Sequence, residues 1–507
     1  MDKKVLRWNF VFQYGWVLTN VFNSILLLPF YIKYIEVTTL GVWLAASSVL
    51  NWMTMVDPGI GEVLQQKIAE LRGKNEKEEI GKSIGSGLIS SSFILFIAAA
   101  VGIIFYFCLG LFLKKDISQY QHLSMALLIT IIATGLSLVS FTLTGINQGL
   151  HNSAQVAISS ISANVLFLIV NLVFLFMGYG VMSIAIANLA RASFLNIYIF
   201  TSLKKLLNRE RINILFNRIH FKKFIRIFSF TSASKIISGL SYSIDMVVLA
   251  RYIAPGMIAI YEINKRPLNL TNTLIGRHSV ALMPLISHSK GLDDKHAIIQ
   301  LINKQFRLYI YGALFVAFMF AINYFDLITA WVGEGKYIGD NILFLLVISN
   351  FVVLIAYFMS NMGYALGDIK KNSKFNIIRN LFYGVFIVIA ARYYGIIGTV
   401  VVSLTMSLGI DLFFFSYRVY KMGYLQVALM KKIAGICAII IPSSAVAAYM
   451  LHLLITNTIP VDMHFVKLLV NSACFTLFFI LLLLLIDQGL RNQLRFWKQK
   501  LVVRFAL

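Results

Sequence analysis

Long apolar stretches alternate with short polar segments along the whole chain. A helix that crosses the hydrocarbon core of a bilayer needs about 20 mostly apolar residues, and fourteen stretches approach or exceed that length. Their approximate limits are 10–32, 38–60, 84–113, 121–145, 153–177, 180–203, 226–250, 256–287, 306–331, 340–366, 375–392, 394–417, 432–454 and 464–487. The pattern predicts an all-α polytopic membrane protein with about 14 transmembrane helices.

The polar segments alternate in their content of lysine and arginine. With the N-terminus on the cytoplasmic side, the predicted inner segments hold 33 of these residues, the outer loops hold 7, and the other 5 of the 45 lie within spans. Cytoplasmic loops of membrane proteins are enriched in lysine and arginine. We therefore expect both termini to be cytoplasmic, which requires an even number of spans.

The longest polar segment divides the chain. Residues 204–226 follow the sixth span and carry eight lysines and arginines. We expect an N-terminal lobe over 1–203 (spans 1–6), this basic cytoplasmic linker, and a C-terminal lobe over 227–420 (spans 7–12). Residues 421–507 would add two further spans and a basic cytoplasmic tail.

A weak internal repeat supports two lobes. Gly149 and Gly180 bracket an apolar helix in the first lobe, and Gly367 and Gly395 bracket one in the second, at separations of 31 and 28 residues. Many transporters are built from such repeats. The repeat predicts two six-helix lobes in a pseudo-twofold arrangement, with two extra C-terminal helices.

Composition supports a membrane protein and argues against a nucleic-acid binder. Hydrophobic residues make up 59% of the chain, charged residues only 13%, and the mean hydropathy is +0.79. Soluble domains carry about 25% charged residues. The net charge of +24 comes from short basic clusters between apolar stretches, so we expect no nucleic-acid partner.

Motifs for covalent chemistry are missing from the loops. No segment matches the P-loop pattern, and residues 333–336 (Gly-Glu-Gly-Lys) have the wrong spacing for it. The outer loops are roughly 4 to 13 residues long, too short for a catalytic domain. Cys108, Cys437 and Cys474 lie in separate apolar stretches without histidines at metal-ligand spacing. We therefore expect no enzyme activity, no cofactor, no metal site and no disulfide.

The seventh span carries a polar stripe. Its members follow a helical spacing of three and four residues and so share one face: Thr231, Lys235, Ser238, Tyr242 and Asp245. Lys235 and Asp245 are ten residues apart, about 15 Å along a helix, so they cannot pair with each other.

The eighth span carries a second stripe, which is net positive. Glu262, Arg266, Asn269 and Arg277 share a face, with Lys265 at its edge. Three cations accompany a single carboxylate. Pro267 removes a backbone hydrogen bond and can kink the helix at that depth.

The first two spans have milder polar faces, with Asn20 in the first and Asn51 in the second. One interpretation is a water-filled cavity lined by spans 1, 2, 7 and 8, where the cations attract a phosphate or pyrophosphate. The alternative is structural, because lysine can snorkel, Glu262 can pair within its helix, and serine and threonine pack helices together. Arg191 and Asp411 are lone charges in the sixth and twelfth spans.

Four short segments resemble a known family in their order along the chain. They are residues 57–61 (Asp-Pro-Gly-Ile-Gly), 245–250 (Asp-Met-Val-Val-Leu-Ala) with Ile260 and Tyr261, 281–287 (Ala-Leu-Met-Pro-Leu-Ile-Ser), and 395–398 (Gly-Ile-Ile-Gly). Together with the layout of six, six and two spans, they are similar to the O-antigen flippases. These form the polysaccharide-exporter branch of the multidrug/oligosaccharidyl-lipid/polysaccharide (MOP) superfamily. Pro58 departs from the commoner leucine or phenylalanine after Asp57.

The resemblance implies a protein of the inner (cytoplasmic) membrane that moves an undecaprenyl-pyrophosphate-linked oligosaccharide to the outer leaflet by alternating access. By that resemblance, the cations Lys235, Lys265, Arg266 and Arg277 would meet the substrate. Asp245 and Glu262 would be candidates for proton or sodium coupling. A glycan polymerase or chain-length machinery would be a partner.

Three alternatives stay open. A multidrug antiporter of the same superfamily exports organic cations, which the positive stripe disfavours. A flippase for a lipid-linked peptidoglycan precursor would share both the fold and the need for cations. A membrane glycosyltransferase or polymerase is disfavoured by the short outer loops.

Overall fold

The computed structural model describes residues 18–19, 22–56, 60–113, 119–120, 122–216, 244–291, 294–460, 463–487 and 489–491. These residues are helical or form turns, with no β-strand among them. The helices are α1 (22–34), α2 (Val37–Asn51), α3 (Ile60–Gly73), α4 (Lys77–Leu113), α5 (Leu123–Gly149), α6 (Ser153–Phe176), α7 (Val181–Glu210), α8 (Ile244–Tyr252), α9 (Pro255–Gly291), α10 (Lys295–Val332), α11 (Asp340–Ala365), α12 (Ile369–Met406), α13 (Phe413–Lys421), α14 (Val427–Thr458) and α15 (His464–Ile486).

Nine helical segments within the described residues are long and apolar enough to cross a bilayer. They lie in α4 to α7, α10, α11, the run from α12 through α13, α14 and α15. Helix α9 is not among them, because charged residues fall within its first half and Asn272, Arg277 and His278 lower the hydropathy of its second half. The prediction of an all-α, multi-pass membrane protein is confirmed.

Helix α3 was missed by the sequence pattern, which placed a loop over residues 61–83. The helix is short, and polar residues separate its apolar ones. Ile60, Leu64, Ile68 and Leu71 recur every three or four residues and are buried along one face. Helix α7 also extends further than predicted, so the first seven residues of the predicted linker, 204–210, are helical.

The two predicted spans over 375–392 and 394–417 are joined without a loop. Gly395 interrupts α12 with φ 58° and ψ −136°. Gly180, which precedes α7, has φ 53° and ψ −127°. This region of backbone conformation is essentially restricted to glycine. The two glycines that the repeat paired therefore share one backbone conformation.

A second element of the repeat is the turn that precedes α6 and α12. Leu150 caps the end of α5, a left-handed residue follows, and Asn152 begins α6. Leu366, a left-handed Gly367 and Asp368 form the same sequence of conformations between α11 and α12. When the two turns are aligned, Gly367 corresponds to His151. The sequence repeat had paired Gly367 with Gly149, two residues earlier.

Each of these turns is held by one basic side chain. Arg72, at the end of α3, donates to the carbonyl of Leu150. Lys290, at the end of α9, donates to the carbonyl of Leu366. The two turns are thus anchored by equivalent contacts, which supports an internal repeat more strongly than the glycine spacing does.

The chain separates into two compact units. Unit 1 comprises Met1–Glu262 and Asn376–Gly395, and unit 2 comprises Ile263–Phe375 and Ile396–Leu507. All three boundaries cut through helices, one through α9 and two through α12. The lobe boundaries drawn from the spans, with the linker at 204–226, stay a prediction.

In unit 1, glycines bring α3 and α5 together. A side chain at Gly61 would collide with the backbone of Phe141, and one at Gly145 would collide with the backbone of Gly61. Gly149 lies one turn further along α5 and approaches Gln65 and Ile68. Small residues four apart let helices approach closely in a membrane.

In unit 2, the appended helices α14 and α15 pack on α10. At one end of α15, His464 Nδ1 lies 2.7 Å from Asp326 Oδ1. At the other end, the buried Asp487 accepts hydrogen bonds from the Tyr311 hydroxyl at 2.9 Å and from Arg307 Nη1 at 3.3 Å. Rings of Phe315, Phe475 and Phe479 fill the interval between these two contacts.

Candidate functional site

Asp245, the candidate coupling residue, is buried and hydrogen-bonded. It lies in the first turn of α8 and is only 5% exposed. The Tyr261 hydroxyl of α9 donates to Asp245 Oδ2 at 2.9 Å. Burying a carboxylate is costly unless hydrogen bonds compensate it, and this bond is one such contact. In the sequence, Tyr261 belongs to one of the family-like segments and has no predicted role of its own.

Helix α8 is held in place by the packing of unit 1. It contacts α2 and α4, and its residues Leu249 and Ala250 are fully buried. The start of α9 is also fixed, because a side chain at Gly41 of α2 would collide with the backbone of Pro255. The packing thereby fixes the short turn that brings Asp245 and Tyr261 together.

The buried face of α9 carries a polar residue that the stripe did not include. Asn264 is fully buried, and its Nδ2 donates to the Lys336 carbonyl at 2.7 Å. The Tyr324 hydroxyl donates to the Asn264 carbonyl. Asn264 therefore has a structural role and holds the loop after α10 against α9.

That loop contains one residue with a shifted pKa. Burial, with Asp340 next to it, raises the pKa of the Tyr337 phenol. The Tyr337 hydroxyl donates to Asp340 Oδ1 at 2.5 Å. The phenol stays protonated and acts as a hydrogen-bond donor at neutral pH.

The opposite face of α9 is the predicted stripe. Glu262, Lys265, Arg266 and Asn269 are all half-buried. The helix continues through Pro267 without a break. A partly accessible charge within a membrane span is tolerated where it meets water or a partner, because exposure to hydrocarbon is costly.

Arg266 makes no hydrogen bond or ion pair with the side chains and backbone that the structure describes. Its guanidinium carries five N–H donors. Such donors can bind an anionic ligand or water.

Several predicted site residues lie outside the described residues. Asn20, Lys235 and Tyr242 are among the residues that the structure leaves undescribed. Asn51 and Arg277 lie in α2 and α9, but the description does not extend to their side chains. That these residues gather with the stripe of α9 stays a prediction.

The described residues contain no group of three or more histidine, cysteine, aspartate or glutamate side chains that could hold a metal ion. Cys108, Cys437 and Cys474, all described, are free thiols.

The two lone charges occupy different settings. Arg191 of α7 lies over the ring of Phe167 of α6, with 5.4 Å from Cζ to the ring centroid. Asp411 lies in the π-helical turn Ser407–Leu412, between α12 and α13. Such turns inside helices are frequent at functional sites.

Comparison with known proteins gives one family and a group of structures. A model of the family described as polysaccharide biosynthesis protein matches residues 10–290, more than half of the chain. Among curated proteins, none matches the chain.

Three solved structures illustrate the fold. A lipid II flippase MurJ in an inward closed conformation is 17% identical, with a TM-score of 0.72, and the match covers 95% of this chain and 99% of that one. An inward-facing multidrug resistance MATE family transporter of the MOP superfamily is 16% identical, with a TM-score of 0.65, over 82% and 96% of the two chains.

The third is a MOP superfamily transporter from Pyrococcus furiosus whose binding pocket is described as having reverse polarity. It is 15% identical, with a TM-score of 0.56, and the match covers 82% of this chain and 95% of that one. At these identities the likeness concerns the fold. The chain belongs to the polysaccharide biosynthesis protein family and has the fold of the MOP superfamily transporters.

Proposed function

We propose that this protein is a flippase for an undecaprenyl-pyrophosphate-linked oligosaccharide, the repeat unit of O-antigen or of another surface polysaccharide. It would carry this substrate from the cytoplasmic to the outer leaflet by alternating access. The observation that supports this most is the half-buried cationic face of α9, with Lys265 and Arg266, in a chain of the polysaccharide biosynthesis protein family.

Charge complementarity favours this substrate over an organic cation. A pyrophosphate is a strong hydrogen-bond acceptor, and guanidinium groups bind it in a bidentate manner. Arg266, without a hydrogen bond to the described residues, has its donors available for that contact. A cavity with this charge would repel the cationic drugs that a multidrug antiporter exports.

Asp245 and Glu262 are the proposed coupling residues for protons or sodium. Asp245 joins α8 to α9 through Tyr261. Neutralising its charge, by a proton or by a bound cation, would change the strength of that hydrogen bond. Ion binding at Asp245 would thereby act on the same helix that carries Arg266.

A lipid-linked peptidoglycan precursor flippase is the second candidate. The likeness to the lipid II flippase MurJ over 95% of this chain favours it. Its substrate would also carry a pyrophosphate, so the stripe of α9 fits both. Loss of such a flippase would stop cell-wall synthesis, whereas loss of an O-antigen flippase would remove a surface polymer.

In either case the protein would transport its substrate without changing it chemically. Its place would be the inner membrane, with both termini in the cytoplasm. A glycan polymerase or chain-length machinery on the outer side would use the delivered repeat unit.

The test is complementation. The full chain is expressed in a bacterium that lacks its own O-antigen flippase and has a compatible glycan pathway, and long-chain surface polysaccharide is measured. Restored polysaccharide supports the proposal. In parallel, the chain is expressed in cells depleted of their peptidoglycan precursor flippase. Rescue of growth there, without surface polysaccharide in the first strain, would support the second candidate instead.

A further inference from the structure

Arg191 lies near the middle of the membrane-spanning part of α7. Helices α6 and α7 run antiparallel, because Tyr198 donates to Gln155 Oε1 at 2.8 Å and Asn152 donates to Ser202 at 2.9 Å. Arg191 follows the first residue of α7, Val181, by ten positions, which is about 15 Å along a helix. The hydrocarbon core is about 30 Å thick, so the backbone of Arg191 is near its midplane.

Arg191 faces away from the lipid. Ile197 and Phe200 are 66% and 48% exposed and mark the lipid-facing side of α7. At about 100° per residue, Arg191 lies about 120° and 180° around the helix from them. Phe167, on which Arg191 lies, is likewise on the far side of α6 from the exposed Val165 and Ile169.

Arg191 is nevertheless only half-buried. Its accessible part therefore opens toward the interior of the protein and not toward hydrocarbon. Exposing an arginine to lipid at the midplane would be costly. An arginine on an interior face at this depth requires water or an anion as its partner.

No carboxylate neutralises this charge within the described residues. Arg191 forms neither an ion pair nor a hydrogen bond there, and its described partner is the Phe167 ring. Helices α5 and α6 contain no aspartate or glutamate. The one carboxylate of α7, Glu210, is nineteen positions away and bonded to Arg72 at 2.8 Å. Stacking on a ring occupies the face of the guanidinium and leaves its N–H edges free.

A second polar group on the same side of α6 lacks partners. Asn171 follows Phe167 by one helical turn and is fully buried, and neither of its amide atoms has a hydrogen bond to the residues that the structure describes. Buried amides are rarely left without partners unless water or a ligand supplies them. Asn164, one turn before Phe167, donates to Thr19, so this side of α6 is polar over two turns.

We propose that Arg191, positioned by Phe167, is an anion-binding residue within unit 1 that takes a phosphate or carboxylate group of the transported molecule. The inference rests on the proposed function and extends it. The charged face of α9 binds one acidic group, and Arg191 binds an acidic group on its own. A diphosphate or an acidic sugar of the substrate would supply the group that Arg191 binds.

The test measures ligand binding to the purified full chain in lipid nanodiscs. Farnesyl diphosphate is the lipid-anion probe, inorganic pyrophosphate the free-anion probe, and farnesol the uncharged control, with thermal stabilisation as the readout. Wild type is expected to be stabilised by farnesyl diphosphate and not by farnesol. Stabilisation by inorganic pyrophosphate as well would show that the anion suffices without the isoprenoid.

Arg191→Gln is expected to weaken farnesyl diphosphate binding about tenfold, as for the loss of one charge-assisted contact. Arg191→Lys keeps the charge without the planar fork and should bind with intermediate affinity. Arg209→Gln, on the last turn of the same helix, is the matched control and should bind as wild type. If Arg191→Gln fails to fold, Arg191→Lys carries the comparison.

Equal binding by wild type and Arg191→Gln, or no binding of either anion by wild type, would overturn the assignment of Arg191. The complementation experiment decides the proposed function separately, because it scores polysaccharide export in cells. Export with unchanged anion binding in Arg191→Gln removes only the assignment of Arg191. The converse result would be anion binding that depends on Arg191, together with no polysaccharide export in the first strain and no rescue of growth in the second. That result would contradict the proposed substrate and leave the assignment of Arg191 standing.

Discussion

Tyr261 and Asp245 are sixteen positions apart in the sequence, and their side chains meet at 2.9 Å. The spacing rules of a helix predicted the stripe of α9, because periodicity alone decides which residues share a face. They did not predict the contact of Tyr261, which depends on how α8 and α9 are held by α2. The buried role of Asn264 was missed for the same reason, since its partner Lys336 lies 72 positions away.

Replacing Tyr261 with phenylalanine removes the hydroxyl that donates to Asp245 and leaves the buried carboxylate with one fewer partner. We expect a loss of about 1–3 kcal/mol in unfolding free energy. The measurement is the thermal unfolding temperature in nanodiscs at matched lipid composition. Tyr252→Phe, on the surface of α8, is the matched control and should unfold like wild type. Equal unfolding of Tyr261→Phe and wild type would contradict the importance of this bond.

Arg266→Gln is expected to lower polysaccharide export at least severalfold, because a charge-assisted contact to a phosphate contributes about 1.5–3 kcal/mol. Membrane insertion should be unchanged, since the guanidinium has no hydrogen bond within the described residues to lose. Surface polysaccharide is measured at matched amounts of membrane-inserted protein, with Arg209→Gln as the control. Wild-type export by Arg266→Gln would remove this residue from the substrate path.

At the scale of elements, length and hydropathy found the long helices and missed the short one. Helix α3 has 14 residues and its apolar face becomes evident only against α5, so no window of 20 apolar residues reveals it. The join at Gly395 was hidden for a different reason. One glycine in an unusual conformation replaces a polar loop there, and hydropathy registers loops only by their polarity.

Helix α15 is fastened to α10 at both ends, so breaking one contact should loosen the appended pair. Asp487→Asn removes the charge that faces Arg307 and Tyr311, and breaking a buried ion pair costs about 3–5 kcal/mol. We expect faster proteolysis near the C-terminus and a lower unfolding temperature. Asp294→Asn is the matched control, because asparagine also caps a helix start. Resistance to protease equal to wild type would show that the contacts of Asp487 are not needed to hold α15, which the His464–Asp326 contact and the aromatic rings would then fasten.

At the scale of the molecule, the sequence predicted a multi-pass helical transporter fold, because every span must be long and apolar enough to cross the hydrocarbon core. The gathering of spans 1, 2, 7 and 8 around a cavity was inferred from the polar faces of these spans, and it stays a prediction. Orientation is likewise a prediction, from loop charges. The distances between functional side chains depend on how segments far apart in the sequence pack against each other. The pattern of a single sequence does not contain that information.

Orientation can be measured by labelling introduced cysteines. In a variant with the three native cysteines replaced by serine, Glu334→Cys lies in an exposed loop predicted to be outside, and Glu76→Cys lies in a turn predicted to be inside. A membrane-impermeant thiol reagent added to the outside of the membrane should label only Glu334→Cys. Labelling of Glu76→Cys alone would reverse the predicted topology, and disruption of the membrane should expose both.

The contacts of Arg72 and Lys290 carry a consequence for how the two halves of such a chain diverge. Each donor bonds a main-chain carbonyl, and every amino acid supplies an identical carbonyl. Natural selection for the contact thus constrains the donor position to a long basic side chain, whereas the contact itself places no demand on the acceptor's side chain. Two halves that descend from one duplicated ancestor can in this way lose nearly all sequence identity and still form the same turns. Ancestry in such chains is better sought in backbone angles than in residue identities.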